Sequence, residues 1–202
     1  SFDVPGGVQF HVRDLAEHHS RAGHEVGILC DSTTGSEHED RLFEQIRPYL
    51  ALGLHRMPIA RAVGVGDAAS LHKSYKTIKE LRPDVLHGHG AKGGAVSRII
   101  GSALRAKRYR VARFYSPHGG SLHFDRRSLS GRGVFAAERV LERLTDAIVF
   151  VCDYERRTYE AKIGVPRCAH RMIYNGLADR DFTLIPARSD SVHFIYVGML
   201  RD

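Results

Sequence analysis

The chain has 202 residues, with 30 Lys and Arg against 23 Asp and Glu, and a net charge of +7 with its 13 histidines counted as neutral; 43% of residues are hydrophobic and 26% charged. That is the composition of a soluble globular protein of one sizeable α/β domain, or one domain and a fragment of another. It excludes a helical membrane span, because no apolar run approaches the ~20 residues one needs. It also excludes a disulfide framework, because Cys30, Cys152 and Cys168 are an odd, scattered set without a C-x-x-C pair, as in a reducing cytoplasm. Residues 1–5 lack the basic and apolar regions of a signal peptide.

Val8, Val12, Leu15, Ala16, His19 and Ala22 follow helical spacing, and Gly23 stops that helix. His24 to Cys30 reads as a strand, Asp31 to Glu39 as a polar turn, Asp40 to Tyr49 as a weaker helix, and Leu52 to Met57 as a short strand. Ile59 to Asp67 reads as a loop. Leu71, Tyr75, Ile78 and Leu81 give the next helix, which Pro83 closes. Val85 and Leu86 begin a strand, Ala95 to Leu104 give a helix, and Val111 to Tyr115 a further strand. Ser121 to Gly133 is a polar, basic loop. Val134 to Leu144 form a helix, and Ala147 to Cys152 a central strand buried on both faces. Asp153 caps the following helix, which Gly164-Val165-Pro166 ends. Met172 to Tyr174 form a last short strand before Asn175-Gly176. This alternation predicts an α/β fold, a Rossmann-like doubly wound parallel sheet, over 1–188. Residues 189–202 read as a linker and the first strand of a truncated second domain.

Two His-Gly clusters carry the chemistry. Asp84-Val85-Leu86-His87-Gly88-His89-Gly90 leads into a helix, and Phe114-Tyr115-Ser116-Pro117-His118-Gly119-Gly120 into a loop. In an open α/β sheet such strand ends line the ligand crevice. Glycine permits close approach of a ligand, and histidine supplies a donor, an acceptor or a proton carrier. The i, i+2 spacing of His87 and His89 is expected to turn them to opposite faces, with no carboxylate or cysteine nearby to complete a metal shell, so no metal site is expected. Each of the two faces a ligand or packs in the wall. Pro5-Gly6-Gly7-Val8 opens a helix and is either an anion site or a plain cap. The basic stretches Arg105, Lys107, Arg108, Arg110, Arg113 and Arg126, Arg127, Arg132 favour an anionic partner. Without interleaved aromatics they argue against nucleic acid. No G-x-S-x-G elbow and no strand-end pair of acids are present, which excludes an α/β-hydrolase and a two-carboxylate glycosidase.

Six segments, in order, resemble family 4 glycosyltransferases of the GT-B fold. They are Gly6-Gly7-Val8 with His11-Val12 and Leu15-Ala16; Arg82-Pro83-Asp84-Val85-Leu86-His87-Gly88-His89; Ser116-Pro117-His118-Gly119-Gly120; Thr145 to Cys152; Ile173-Tyr174-Asn175-Gly176 followed by Phe182; and Tyr196-Val197-Gly198-Met199-Leu200. The two His-Gly clusters look most like those of bacterial exopolysaccharide glycosyltransferases. The resemblance implies the N-terminal, acceptor-binding half of an enzyme that moves a sugar from a nucleotide-sugar to a lipid-linked glycan, with retention, without a metal or other cofactor. It places Gly6, Gly7 and Arg201 at the donor phosphates and His118 at the transferring sugar. It places His87, His89, Lys92, Gly93, Gly119, Gly120 and His123 toward the acceptor. The implied location is cytoplasmic and peripheral, on an anionic membrane surface.

The sequence departs from the family in lacking its first strand before Gly6, and the donor half would lie beyond Asp202, so the piece alone is expected to be inactive. Met199 stands where many members have an arginine, and Ala178 near the usual aspartate. Two further readings are a GT-B UDP-sugar 2-epimerase half, which would place more carboxylates in the cleft, and a non-catalytic sugar or lipid-head-group binding module.

Overall fold

The computed structural model describes residues 7–33, 37–58, 65–184 and 186. Among the described residues six α-helices alternate with six strands: α1 (Gly7–Arg21), β1 (Gly27–Asp31), α2 (Glu37–Ile46), β2 (Gly53–Met57), α3 (Val65–Leu81), β3 (Val85–His89), α4 (Gly90–Ala106), β4 (Ala112–Ser116), α5 (Leu129–Glu142), β5 (Ala147–Phe150), α6 (Asp153–Lys162) and β6 (Ala169–Met172). All pairings are parallel. The hydrogen-bonded strands form two sheets, β1-β2 and β3-β4-β5-β6.

Helices cover both faces, as the alternation predicts. Consecutive residues of a strand point to opposite sides, and Ile28 and Leu29 of β1 join different hydrophobic clusters. Ile28 packs with Ala16, Ile46 and Leu50, whereas Leu29 packs with Ile78, Ile100, Leu104 and Leu86 of β3. A third cluster joins Tyr115, Leu122, Ile148, Phe150 and Tyr159. In β5 only Ile148 and Phe150 are fully enclosed, and the Ala147 and Val149 face is half-covered.

The strand ends depart from expectation in a consistent way. β1 starts at Gly27 rather than His24, and β6 ends at Met172 where a strand was expected to begin. Apolar content marks what is buried, whereas the ladder also takes polar residues such as Asp31 and His170. The stretch from Ser121 to Gly133 is not an open loop. Gly120–His123 form a 3-10 turn with Ser121 and Leu122 buried, and α5 begins at Leu129 on a Ser128 cap whose Oγ accepts the Gly131 N–H at 3.0 Å. The cap of α6 is Cys152 and not Asp153: its Sγ accepts the Glu155 N–H at 3.4 Å, and Asp153 lies in the first turn.

Two ionic knots hold the layers, one buried and one half-exposed. Arg98 on α4 is fully buried; its Nε donates to the Gly94 carbonyl at 2.7 Å, and a terminal nitrogen reaches Glu138 of α5 at 3.0 Å. Glu138 also accepts from Tyr115 and Ser121 at 3.2 and 3.1 Å. Before β5, Asp146 receives the Arg113 backbone N–H at 2.8 Å and ion pairs from Arg105 and Arg113. Burial would raise the Asp146 carboxyl, but the Arg113 hydrogen bonds and the two guanidinium charges hold it below the usual carboxylate range. Arg105 and Arg113 are therefore part of the scaffold rather than of a free basic face. All three cysteines are unbridged.

Candidate functional site

The C-terminal ends of β3 and β4 and the first turns of α1 meet in a cluster of four histidines. His87, Gly88 and His89 are the last three residues of β3, paired in register with Phe114, Tyr115 and Ser116 of β4. Residues i and i+2 of a strand share a face. The rings of His87 and His89 accordingly lie 4.1 Å apart, and the expectation that they diverge is wrong. His118 follows β4 and brings its Nε2 within 2.9 Å of His89 Nδ1. His11, on α1, lies 5.6 Å from the His89 ring and 5.1 Å from that of His118. His87 turns its Nε2 to Ser116 Oγ at 2.9 Å.

The backbone that delivers His118 is unusual. His118 and Gly119 both have positive φ, 49° and 73°, a left-handed pair that a histidine adopts only at a cost. Glu155, buried on α6, holds it there. One carboxylate oxygen accepts the Gly119 N–H at 2.8 Å, and the other accepts the Val151 N–H at 2.9 Å. Sequence reasoning missed Glu155. Its signal is the spacing Cys152-Asp153-Tyr154-Glu155, which mimics a capping box with cysteine for serine.

Burial dominates the electrostatics. It pulls the His87 and His118 imidazoles down to about 4 and His89 down to about 2, with neighbouring histidines adding repulsion. Burial also lowers His11, with Asp14 opposing. At neutral pH His87, His89 and His118 are therefore uncharged, and each of these rings offers one N–H and one bare nitrogen.

The glycines divide into two groups. A Cβ at Gly88 would meet Gly93 O at 2.5 Å and Gly94 Cα at 2.7 Å, and one at Gly120 would meet Ala91 N at 2.8 Å. These glycines allow α4 to press onto the strand and the 3-10 turn; they are not openings for a ligand. Around Gly7, Gly90 and Gly119 a Cβ would meet nothing within 4 Å. Gly93 faces Gly88, and Lys92 buries its Nζ rather than extending outward. His123 is exposed, with Nδ1 2.5 Å from the Gly120 carbonyl and its ring tilted against that of Phe124, centroids 4.3 Å apart. The structure thus brings together His87, His89, His118 and Gly119, with His11 as a member that sequence reasoning did not single out. It sets Lys92 and Gly93 back against the strand. Gly6 and Arg201, and the strand expected over 192–197, lie outside the described residues.

Among the described residues no helix is long and apolar enough to cross a membrane. Residues 5–180 match the family model described as Glycosyltransferase Family 4. The chain is 36% identical over 103 residues to a phosphatidyl-myo-inositol mannosyltransferase of Mycolicibacterium smegmatis, a match that covers 49% of this chain and 25% of that protein. In fold it is similar to Anabaena Alr3699/HepE, whose crystal structure is a complex with UDP and glucose. The TM-score is 0.64 and the identity 16%, over 91% of this chain and 44% of that one. The chain spans less than half of either relative, and its parallel α/β architecture is that of one half of a GT-B glycosyltransferase. The chain belongs to glycosyltransferase family 4.

Proposed function

We propose that this chain is the acceptor-binding half of a retaining glycosyltransferase that moves a sugar from a nucleotide-sugar to a lipid-linked glycan acceptor in polysaccharide synthesis. The observation that carries this reading is the neutral histidine cluster at the strand ends, with His118 thrust forward on left-handed backbone and hydrogen-bonded to His89. Uncharged imidazoles suit sugar hydroxyls, because each ring can donate one hydrogen bond and accept another without the desolvation cost of a charge. His118 holds the transferring sugar, and its backbone carbonyl faces the positive charge that develops at the anomeric carbon. His87, His89, Gly119 and His123 form the acceptor side, with Gly120 packed behind them and Lys92 and Gly93 supporting it from α4. The open N-terminus of α1 at Gly7 meets the donor phosphates, together with Gly6 and Arg201. No metal ion takes part in the transfer.

The relatives support the two substrates. HepE was crystallised with UDP and glucose, and the mycolicibacterial relative is named for a phosphatidylinositol acceptor. Arg126, Arg127 and Arg132 flank Leu129, which is 85% exposed, and that combination of charge and apolar tip suits an anionic membrane surface on the cytoplasmic side.

The test is a screen of nucleotide-sugars with the complete transferase and lipid-linked acceptors, with the anomeric configuration of the product read by NMR. The reading predicts a glycoside with the donor's anomeric configuration. Failure to turn over any nucleotide-sugar, even by slow hydrolysis, contradicts it.

A further inference from the structure

His11, His89 and His118 come from three separate elements, α1, the end of β3 and the turn after β4, and each offers one ring nitrogen within 4.8 Å of the other two. We propose that these three nitrogens form a binding site for a transition-metal cation, zinc foremost, that blocks the cleft rather than serving the transfer. Imidazole nitrogen is a preferred ligand of Zn²⁺, and three histidines leave a fourth tetrahedral position open to water. Ca²⁺ and Mg²⁺ are disfavoured, since they require oxygen ligands and the triad offers none.

The three nitrogens, all within 4.8 Å of one another, must draw together around the ion. Ligands at ~2.0–2.1 Å from a tetrahedral zinc lie about 3.4 Å from one another. His89 Nδ1 and His118 Nε2 are 2.9 Å apart, so the pair opens by about half an ångström, and the proton between them passes to the far nitrogen of its own ring, leaving both lone pairs to the metal. The supports of two of the three rings are fixed by the fold. His89 is held by its ladder pairing with Ser116, and His118 by the Gly119 N–H bound to Glu155. His87 is not among the three whose nitrogens converge, and its Nε2 faces Ser116 Oγ. A cation held here takes the nitrogens assigned above to sugar hydroxyls. That consequence rests on the sugar-facing reading; the binding itself does not.

The experiment adds Zn²⁺ alone to the 202-residue chain against a chromophoric chelator. One zinc per chain is expected. His11→Ala and His118→Ala should each weaken binding by more than the ~10–100-fold that loss of an outer-shell partner costs. His72→Ala, an exposed residue of α3, should leave it unchanged. Co²⁺ in place of zinc should give tetrahedral d–d bands without thiolate charge transfer. Circular dichroism checks that the variants fold. If they do not, ¹⁵N spectra of the histidines in the unaltered chain decide, with zinc expected to move the His11, His89 and His118 signals together. Absence of stoichiometric binding, thiolate bands, or zinc-induced shifts confined to other histidines overturns the proposal. Since no sugar is present, failure here leaves the transferase reading untouched, and failure of sugar transfer leaves this one untouched.

Discussion

Glu155 holds Gly119: a carboxylate on α6 accepts the backbone N–H that follows His118, at 2.8 Å, across 36 residues of chain. Its second oxygen binds Val151 at the end of β5, so one side chain fixes the separation of two strand ends and the left-handed turn between His118 and Gly119. Glu155→Ala leaves two N–H groups without their acceptor. It should cost roughly 1.5–3 kcal/mol in urea unfolding and shift the His118 ring resonances. A variant that unfolds at the same urea concentration with unmoved His118 signals would show that the turn holds itself.

The cluster makes stability depend on pH. His87, His89 and His118 sit below their ordinary 6.5 in the folded chain, at about 4, about 2 and about 4. Below pH 6.5 the unfolded chain therefore binds protons that the folded chain refuses. The contribution is fully present above pH 6.5 and drains away as pH falls toward 4. Thermal unfolding between pH 7 and pH 5, above the range where most carboxylates titrate, should show a falling Tm. The fall should shrink in His89→Gln. A flat Tm across that interval contradicts the burial of the cluster.

The two groups of glycine predict opposite orders of substitution. At Gly119 the space is open and the difficulty is the positive φ, ~1–2 kcal/mol for alanine and less for asparagine, which tolerates that region. At Gly88 the difficulty is the backbone of Gly93 and Gly94, so alanine costs ~1–3 kcal/mol by overpacking and the larger asparagine costs more. Denaturation midpoints of the four variants check the reversal. The same order at both sites would remove the distinction.

Arg98 has no solvent exposure, and its partner Glu138 is also buried. Its guanidinium lies 4.0 Å from the centre of the Tyr115 ring, next to the strand that carries the site. Arg98→Met alone strands a buried carboxylate and should cost ~3–5 kcal/mol. The pair Arg98→Met with Glu138→Leu should recover much of that loss. Additive losses in a double-mutant cycle would contradict the coupling.

Much of this organisation is legible in the sequence, because helix periodicity and Gly or Pro stops are local signals. α1 and α4 fall where the apolar spacing puts them, α5 begins five residues early at Leu129, and the two His-Gly clusters do end neighbouring strands. The illegible parts depend on partners far along the chain. Gly88 and Gly120 look like openings for a ligand until α4 is seen to fill the space. Arg105 and Arg113 look like a free basic surface until Asp146 is found between them. His11 falls within a segment that resembles the family but is given no role by the resemblance. It matters because α1 lies over the end of β3, and no spacing within α1 announces that.

Turnover of the complete transferase by the His118→Ala variant decides whether His118 holds the transferring sugar as proposed. With folding verified and the nucleotide-sugar saturating, kcat should fall at least ~tenfold, as expected when a positioned hydrogen-bonding group is lost from the reacting sugar. Near-normal kcat in that variant would contradict the assignment.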